Sequence, residues 1–213
     1  MFRSAISAYH NPIDGVRIGE HPIVMRIMAG IRIAKPTIDR FPVIWDIDRV
    51  LRLMRSFGDI DRLSRRLLSW KTAMLTSIAV VTRAGEVVSM TLSGFHDLDE
   101  KLVFFLNKAR KNNKENSVQK PMTIFRYNKD PLLCPVTHLL EYIERSKEVR
   151  GEEKQLFVST INPFKAIKSE TMGRWLKEIL KRAGINITLF KGHSVRAAST
   201  SKAKVAGATV QQG

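Results

Sequence analysis

His193 and Arg196 stand three residues apart in the run Lys191-Gly192-His193-Ser194-Val195-Arg196. Gly192 can break whatever precedes it, which puts His193 or Ser194 near the N-cap of a following helix. On that helix His193 and Arg196 share one face. An imidazole beside a guanidinium suits a single phosphate, since Arg can fork onto two of its oxygens and His can move a proton near neutral pH. The bland alternative is a helix start with a solvated arginine, and the pair alone does not separate the two.

Other cations sharpen the question. Arg83 interrupts the otherwise apolar passage Val81-Thr82-Arg83-Ala84-Gly85-Glu86-Val87. A charge set between buried elements needs a partner, and Glu86, one helical turn on, is the simplest. Lys108 lies in the basic, Asn-rich loop 107–114, which is either a solvated turn or a loop carrying Lys toward a phosphate. Arg174, Lys177 and Lys181 lie on the polar side of a run whose other side is Met172, Trp175, Leu176, Ile179 and Leu180. From Thr171 to Lys204, a stretch that includes Lys191 and Lys202, there are eight basic residues and one acid. So dense a positive stretch reads best as a surface for backbone phosphates.

The elements that must hold these residues follow from periodicity and punctuation. Phe2 to Tyr9 reads as the end of a helix, His10 to Gly19 as a loop, and Pro22 to Arg32 as a short helix. Two short helices bury too little to stand alone, so they read as the tail of an all-helical module. Lys35 to Pro42 is the linker. Asp46 caps a helix with Ile47, Val50, Leu51, Met54 and Phe57 on one stripe and Gly58 as its stop. A longer helix runs from Leu63 or Leu67 to Val81, with Leu67, Met74, Leu75, Ile78 and Ala79 inward. Residues 101–106 and 121–127 read as two strands flanking the Lys108 loop. Pro135 opens a helix to about Val149, Gln155 to Ser159 is extended, and a helix from Ser169 to Ala183 stops at Gly184.

Composition bounds the function classes. The 213 residues carry 36 Lys and Arg against 20 acids, a net charge of +16. An excess of that size favours a polyanionic partner, most simply nucleic acid. One cysteine rules out an internal disulfide framework and fits a reducing compartment. No apolar run approaches the length of a membrane span, and no N-terminal stretch resembles a signal peptide. There is no Cys/His spacing for zinc, no phosphate loop of the P-loop type and no Rossmann glycine pattern. These features lead to the expectation of a soluble intracellular protein with no cofactor and no metal.

In order, Arg83 with Glu86, Lys108 within Leu106-Asn107-Lys108-Ala109-Arg110, Leu133-Cys134-Pro135-Val136 opening a helix, and the run His193 to Ala203 resemble the tyrosine recombinases, or phage-integrase-like site-specific recombinases. The flavour resembles that of recombinases carried by eukaryotic mobile elements, and the resemblance covers almost the whole chain. It implies an α+β fold, a mainly helical catalytic domain with a small antiparallel sheet over 42–213. Residues 1–41 would be the C-terminal remnant of a helical core-binding domain plus linker. By the same resemblance Arg83 and Arg196 clamp the non-bridging oxygens, Lys108 protonates the leaving 5′-oxygen and His193 assists proton transfer. Arg174, Lys177, Lys181, Lys191 and Lys202 would grip double-stranded DNA, with homo-oligomers on DNA left open and the nucleus as location. The family's nucleophilic tyrosine follows the His-x-x-Arg helix, whereas Tyr9, Tyr127 and Tyr142 all lie upstream of it. The expectation is therefore a chain lacking its C-terminal helices and inactive alone. A DNA-binding remnant without catalysis, or a basic RNA- or protein-binding module, are the alternatives.

Overall fold

One helix, in which polar and apolar positions are buried alike, decides the architecture. In the computed structural model, which describes residues 2–36, 44–107, 121–190 and 194–205, Ser64 caps this helix by accepting the amide of Leu67 at 3.3 Å. Within it, Leu68, Ser69 and every residue from Lys71 to Ser77 are buried. A helix buried all round belongs at the centre of a fold, not at its surface.

The chain divides into two units, Met1–Val43 and Ile44–Gly213. The first holds α1 (Phe2–Tyr9), a 3₁₀ turn (Ile18–Glu20) and α2 (Pro22–Ala34), with Pro22 in the first turn of α2. Gly19 donates its amide to Ser7 Oγ at 3.1 Å, and a Cβ on Gly19 would come within 2.9 Å of that oxygen. The close approach therefore requires glycine.

In the second unit α3 (Ile47–Ser56) is capped by the Asp46 carboxylate, which accepts the amide of Asp48 at 2.9 Å. Its inward stripe is Ile47, Val50 and Met54, and Gly58 ends the run at φ 73°. The central helix α4 (Arg65–Val80) packs against α6 (Pro135–Arg150), α7 (Ser169–Arg182) and α8 (Ser194–Val205). The short α5 (Ala84–Val88) follows it. Three strands, β1 (Met90–Asp97), β2 (Lys101–Leu106) and β3 (Met122–Phe125), form an antiparallel sheet in the order β1-β2-β3. The sheet is held on its core side by Phe104, stacked on Phe95 at 4.8 Å between ring centroids, and β3 packs against α4 and α6. The architecture is α+β, mainly helical with a small antiparallel sheet.

Two details differ from the sequence expectation. β1 is a full strand, interrupted by a register shift between Thr91 and His96 where Gly94 sits at φ 71°; its outer half is mostly exposed, so it lacks the apolar run that marks β2. In α4, Ala79 is exposed and Leu67 and Ile78 are only half-buried. The core is instead filled from the helix middle, Lys71 included.

Lys71 is fully buried, and its Nζ has no hydrogen-bond partner among the described residues. Burial pulls its pKa down to about 8, against the pull of the Asp130 and Asp59 charges. Nearby on α6, His138 is buried, with Nδ1 2.9 Å from the Cys134 carbonyl and Nε2 unpartnered among the described residues. Burial lowers its pKa to about 4, and the Lys71 charge adds to that shift. Tyr142 is also internal; its hydroxyl accepts the Val158 amide at 3.0 Å and its ring lies 5.4 Å from that of Phe157.

Candidate active site

α4 ends where Val81 turns into the left-handed region, at φ 48° and ψ 39°. That conformation is costly for a β-branched residue, and local strain of this kind gathers at functional sites. The turn places Arg83 in an extended conformation as the N-cap of α5, where its carbonyl accepts the amides of Glu86 at 2.9 Å and Val87 at 3.2 Å. Its backbone is thus fixed by α5 while the side chain stays half-exposed. Arg83 Nη1 lies 3.5 Å from Glu86 Oε1, and the other Glu86 oxygen accepts the Thr82 hydroxyl. Among the described residues this one long contact is the guanidinium's only hydrogen bond.

The strand that leads into the Lys108 loop is keyed to the same turn. Leu106 pairs with Met90, and the Asn107 amide donates to the carbonyl of Ser89, the residue that closes α5, at 2.8 Å. Lys108 itself lies outside the described residues. Gly85, Val88, Ser89 and Asn107, with Gln155 and Lys168 to Glu170, line a cavity of about 520 Å³. Arg83's helix, the root of the Lys108 loop and the start of α7 therefore meet around one concave surface.

α8 carries Arg196. His193 and Lys191 lie outside the described residues, and the helix begins at Ser194. Ser194 Oγ is buried and accepts the indole N–H of Trp45 at 2.8 Å, a contact across 149 positions of sequence. Val195, Ala198 and Ser199 are buried on the same side, which turns Arg196 outward to solvent. Sequence alone offers Ser194 only as a cap; its partner Trp45, far upstream, carries no local signal. Arg196 and Arg83 thus stand on different elements, both resting on α4.

Arg174, Lys177 and Lys181 are exposed along one side of α7, opposite the buried Met172, Trp175, Leu176, Ile179 and Leu180. Arg174 is steadied by a 3.0 Å hydrogen bond to Thr171 Oγ1. Lys202, exposed on α8, reaches Asp48 of α3, with Nζ to Oδ2 at 2.7 Å. Among the described residues no group of three or more His, Cys, Asp or Glu side chains is placed to hold a metal ion, and no helix is long and apolar enough to cross a membrane.

This chain has the fold of a tyrosine-recombinase catalytic domain, an assignment that rests on its likeness to solved structures. XerA recombinase matches with a TM-score of 0.54 and 17% identity, over 81% of this chain and 53% of that one. XerH site-specific recombinase bound to difH substrate, in a pre-cleavage complex, matches with a TM-score of 0.56 and 11% identity, over 77% of this chain and 43% of that one. XerH bound to a palindromic difH substrate, in a post-cleavage complex, gives 0.54 and 9% identity, over 94% and 60%. The chain spans about half the length of these proteins, and at such identities the likeness is one of fold. No family model matches the chain, and neither does any curated protein.

Proposed function

We propose that this chain binds double-stranded DNA and provides the phosphate-stabilising half of a tyrosine-recombinase active site, acting in site-specific recombination and integration of a mobile element in the nucleus. Residues 1–41 are read as the end of a core-binding domain. Arg83 and Arg196 clamp the non-bridging oxygens of the scissile phosphate, where the transition state gathers negative charge. Fixed guanidinium forks suit that task better than ammonium groups. Lys108 protonates the leaving 5′-oxygen, and His193 assists proton transfer. A phenol attacks phosphorus, the 5′-oxygen leaves with a proton, and a 3′-phosphotyrosine conserves the bond energy. The reading needs no metal and no cofactor.

The observation that carries this reading is the Asn107–Ser89 hydrogen bond, which keys the root of the Lys108 loop to the helix led by Arg83. The likeness in fold to XerH, bound to its difH substrate in pre-cleavage and post-cleavage complexes, supports it. Of the chain's three tyrosines, Tyr142 is buried and hydrogen-bonded, Tyr9 belongs to the other unit, and Tyr127 follows β3. The reading assigns the attacking phenol to none of these three tyrosines.

A nicked duplex that traps covalent intermediates tests the proposal in two arms. The chain alone should form no adduct. Mixed with a tyrosine-bearing recombinase C-terminal segment, it should form one that depends on Arg83 and Arg196. An adduct from the chain alone, mapped to Tyr127 or Tyr142, would overturn the assignment of roles. Failure of both arms with retained duplex binding would favour the non-catalytic DNA-binding reading.

A further inference from the structure

A second cavity, of about 490 Å³, shares Ala166 to Lys168 with the first, and apart from Arg174 its chemistry is not used by the DNA-binding reading. Its walls come from α4 (Trp70), from residues 159–168, and from α7 (Thr171, Arg174, Trp175, Glu178). Lys165, Lys168 and Arg174 are exposed cations at its rim, and none of them pairs with a carboxylate among the described residues. Glu178 is the one acid in the lining, and Arg182 holds it at 3.1 Å. The Trp70 indole N–H is buried without an acceptor among the described residues. Two guanidiniums lie over the Trp70 ring, Arg182 at 4.9 Å and Arg66 at 5.5 Å from its centroid. Hydroxyls of Ser159, Thr160 and Thr171 complete a polar lining that is rich in donors, while Trp175, Ile161 and Ile167 supply apolar wall.

A lining with surplus donors and cations calls for an oxyanion. The volume exceeds what a lone phosphate fills and sits within the range of small-molecule sites, roughly 300–1,000 Å³. The apolar wall leaves room for a flat ring beside the anion. We infer that this cavity binds a nucleotide, its phosphate on Lys165, Lys168 and Arg174 and its base toward Trp175, Ile161 and Ile167. The nucleotide is either free or the 5′-phosphorylated end of a single strand; both present the same chemistry.

Two of the chain's three tryptophans, Trp70 and Trp175, line the cavity, so intrinsic fluorescence reports occupancy. Three titrations are compared on the full chain: deoxyadenosine monophosphate, deoxyadenosine, and a short oligonucleotide with a 5′-phosphorylated single-stranded end. The monophosphate or the phosphorylated end should saturate the signal, and whichever of the two binds more tightly identifies the source. Loss of the phosphate, or the double substitution Lys165→Ala/Lys168→Ala, should weaken binding about tenfold or more, as expected for removing charge-assisted hydrogen bonds. Trp70→Phe should shrink the fluorescence change while leaving the fold, read by circular dichroism, intact. Lack of saturation by either phosphorylated probe overturns the inference. Equal binding of nucleoside and nucleotide does so too. The free-monophosphate arm involves no duplex and no covalent adduct, so its outcome is independent of the recombinase reading.

Discussion

Lys71 and Arg83 lie little more than three helical turns apart on either side of the end of α4, and the chain treats their charges in opposite ways. Lys71 sits in the middle of the helix with no exposed surface and, among the described residues, no hydrogen-bond partner. Arg83 sits just past its end, half in solvent, with its backbone fixed by α5 and one long contact to Glu86. Taking a charge out of water without a partner costs several kcal/mol, and the group responds by losing its proton more readily. A cation held at the edge of the fold keeps its hydration until a phosphate replaces it. Helix α4 therefore divides the unit into a core that works against charge and a rim that leaves it hydrated.

The largest effect should come from the rim. Arg83→Ala or Arg196→Ala should lower adduct formation in the tyrosine-supplemented mixture by about a hundred- to a thousandfold, the scale of removing one transition-state donor. Thermal stability should hardly move, because both side chains are exposed. If either variant unfolds the domain instead, that arginine belongs to the core and the contrast with Lys71 fails.

Lys71→Met should do the reverse, leaving the rim chemistry alone and raising stability. The lysine pKa falls from 10.5 to about 8 on folding, which at neutral pH corresponds to a penalty of about 3 kcal/mol. The unfolded chain binds the extra proton between those two values, so stability should climb as pH rises from about 8 toward 10.5. His138 acts in the same sense at lower pH: its pKa is depressed from 6.5 to about 4, so stability is lost as pH falls through that window. Denaturant titrations across pH should show both slopes in the native chain and only the acidic one in Lys71→Met. A variant less stable at pH 7 would mean that Lys71 makes a stabilising interaction in the free fold that outweighs its burial cost.

That buried lysine also marks where reading the sequence stops working. The stripes on α3 and α7 are legible because each helix has one wet face, so Val50 and Met54, or Trp175 and Ile179, fall at helical spacing. α4 is wet on no side along its middle, and its polar Ser69, Thr72, Thr76 and Ser77 are as buried as Met74. Apolar periodicity there puts Ala79 inward and Lys71 nowhere. β1 escapes notice because Gly94 and the register shift break its alternation. At the proposed site, the types and order of Arg83, Lys108 and Arg196 carry the resemblance. Their supports do not show: the left-handed turn at Val81 depends on α5 packing beyond it, and Ser194 depends on Trp45.

The Trp45–Ser194 bond tests how α8 is held at the rim. Ser194→Val keeps the volume nearly constant but leaves the Trp45 N–H buried without an acceptor, which should cost about 1–3 kcal/mol. Because α8 carries Arg196, duplex affinity and adduct yield should fall with it, whereas Trp45→Phe/Ser194→Val, which removes both partners, should recover part of the stability. Additive losses in the double variant would show that the two side chains act independently.

The smallest effect separates two exposed cations that sequence alone treats alike. Among the described residues Arg174 hydrogen-bonds only a hydroxyl, while Lys202 is committed to Asp48 across α3 and α8. An exposed pair of this kind, with side chains about half in solvent, contributes at most about 1 kcal/mol, so Lys202→Ala should barely change the melting temperature. Its effect on DNA should differ from that of α7. Removing one cation from a backbone phosphate makes the slope of log affinity against log salt shallower by about 0.9; Arg174→Ala should show that reduction, and Arg174→Ala/Lys181→Ala about twice it. Lys202→Ala should not, because its charge is already neutralised by Asp48. Asp48→Asn releases the lysine and should steepen the slope by up to about 0.9. Equally shallow slopes in Lys202→Ala and Arg174→Ala would mean that DNA pulls Lys202 off Asp48, and the rim would then extend across α8 to α3.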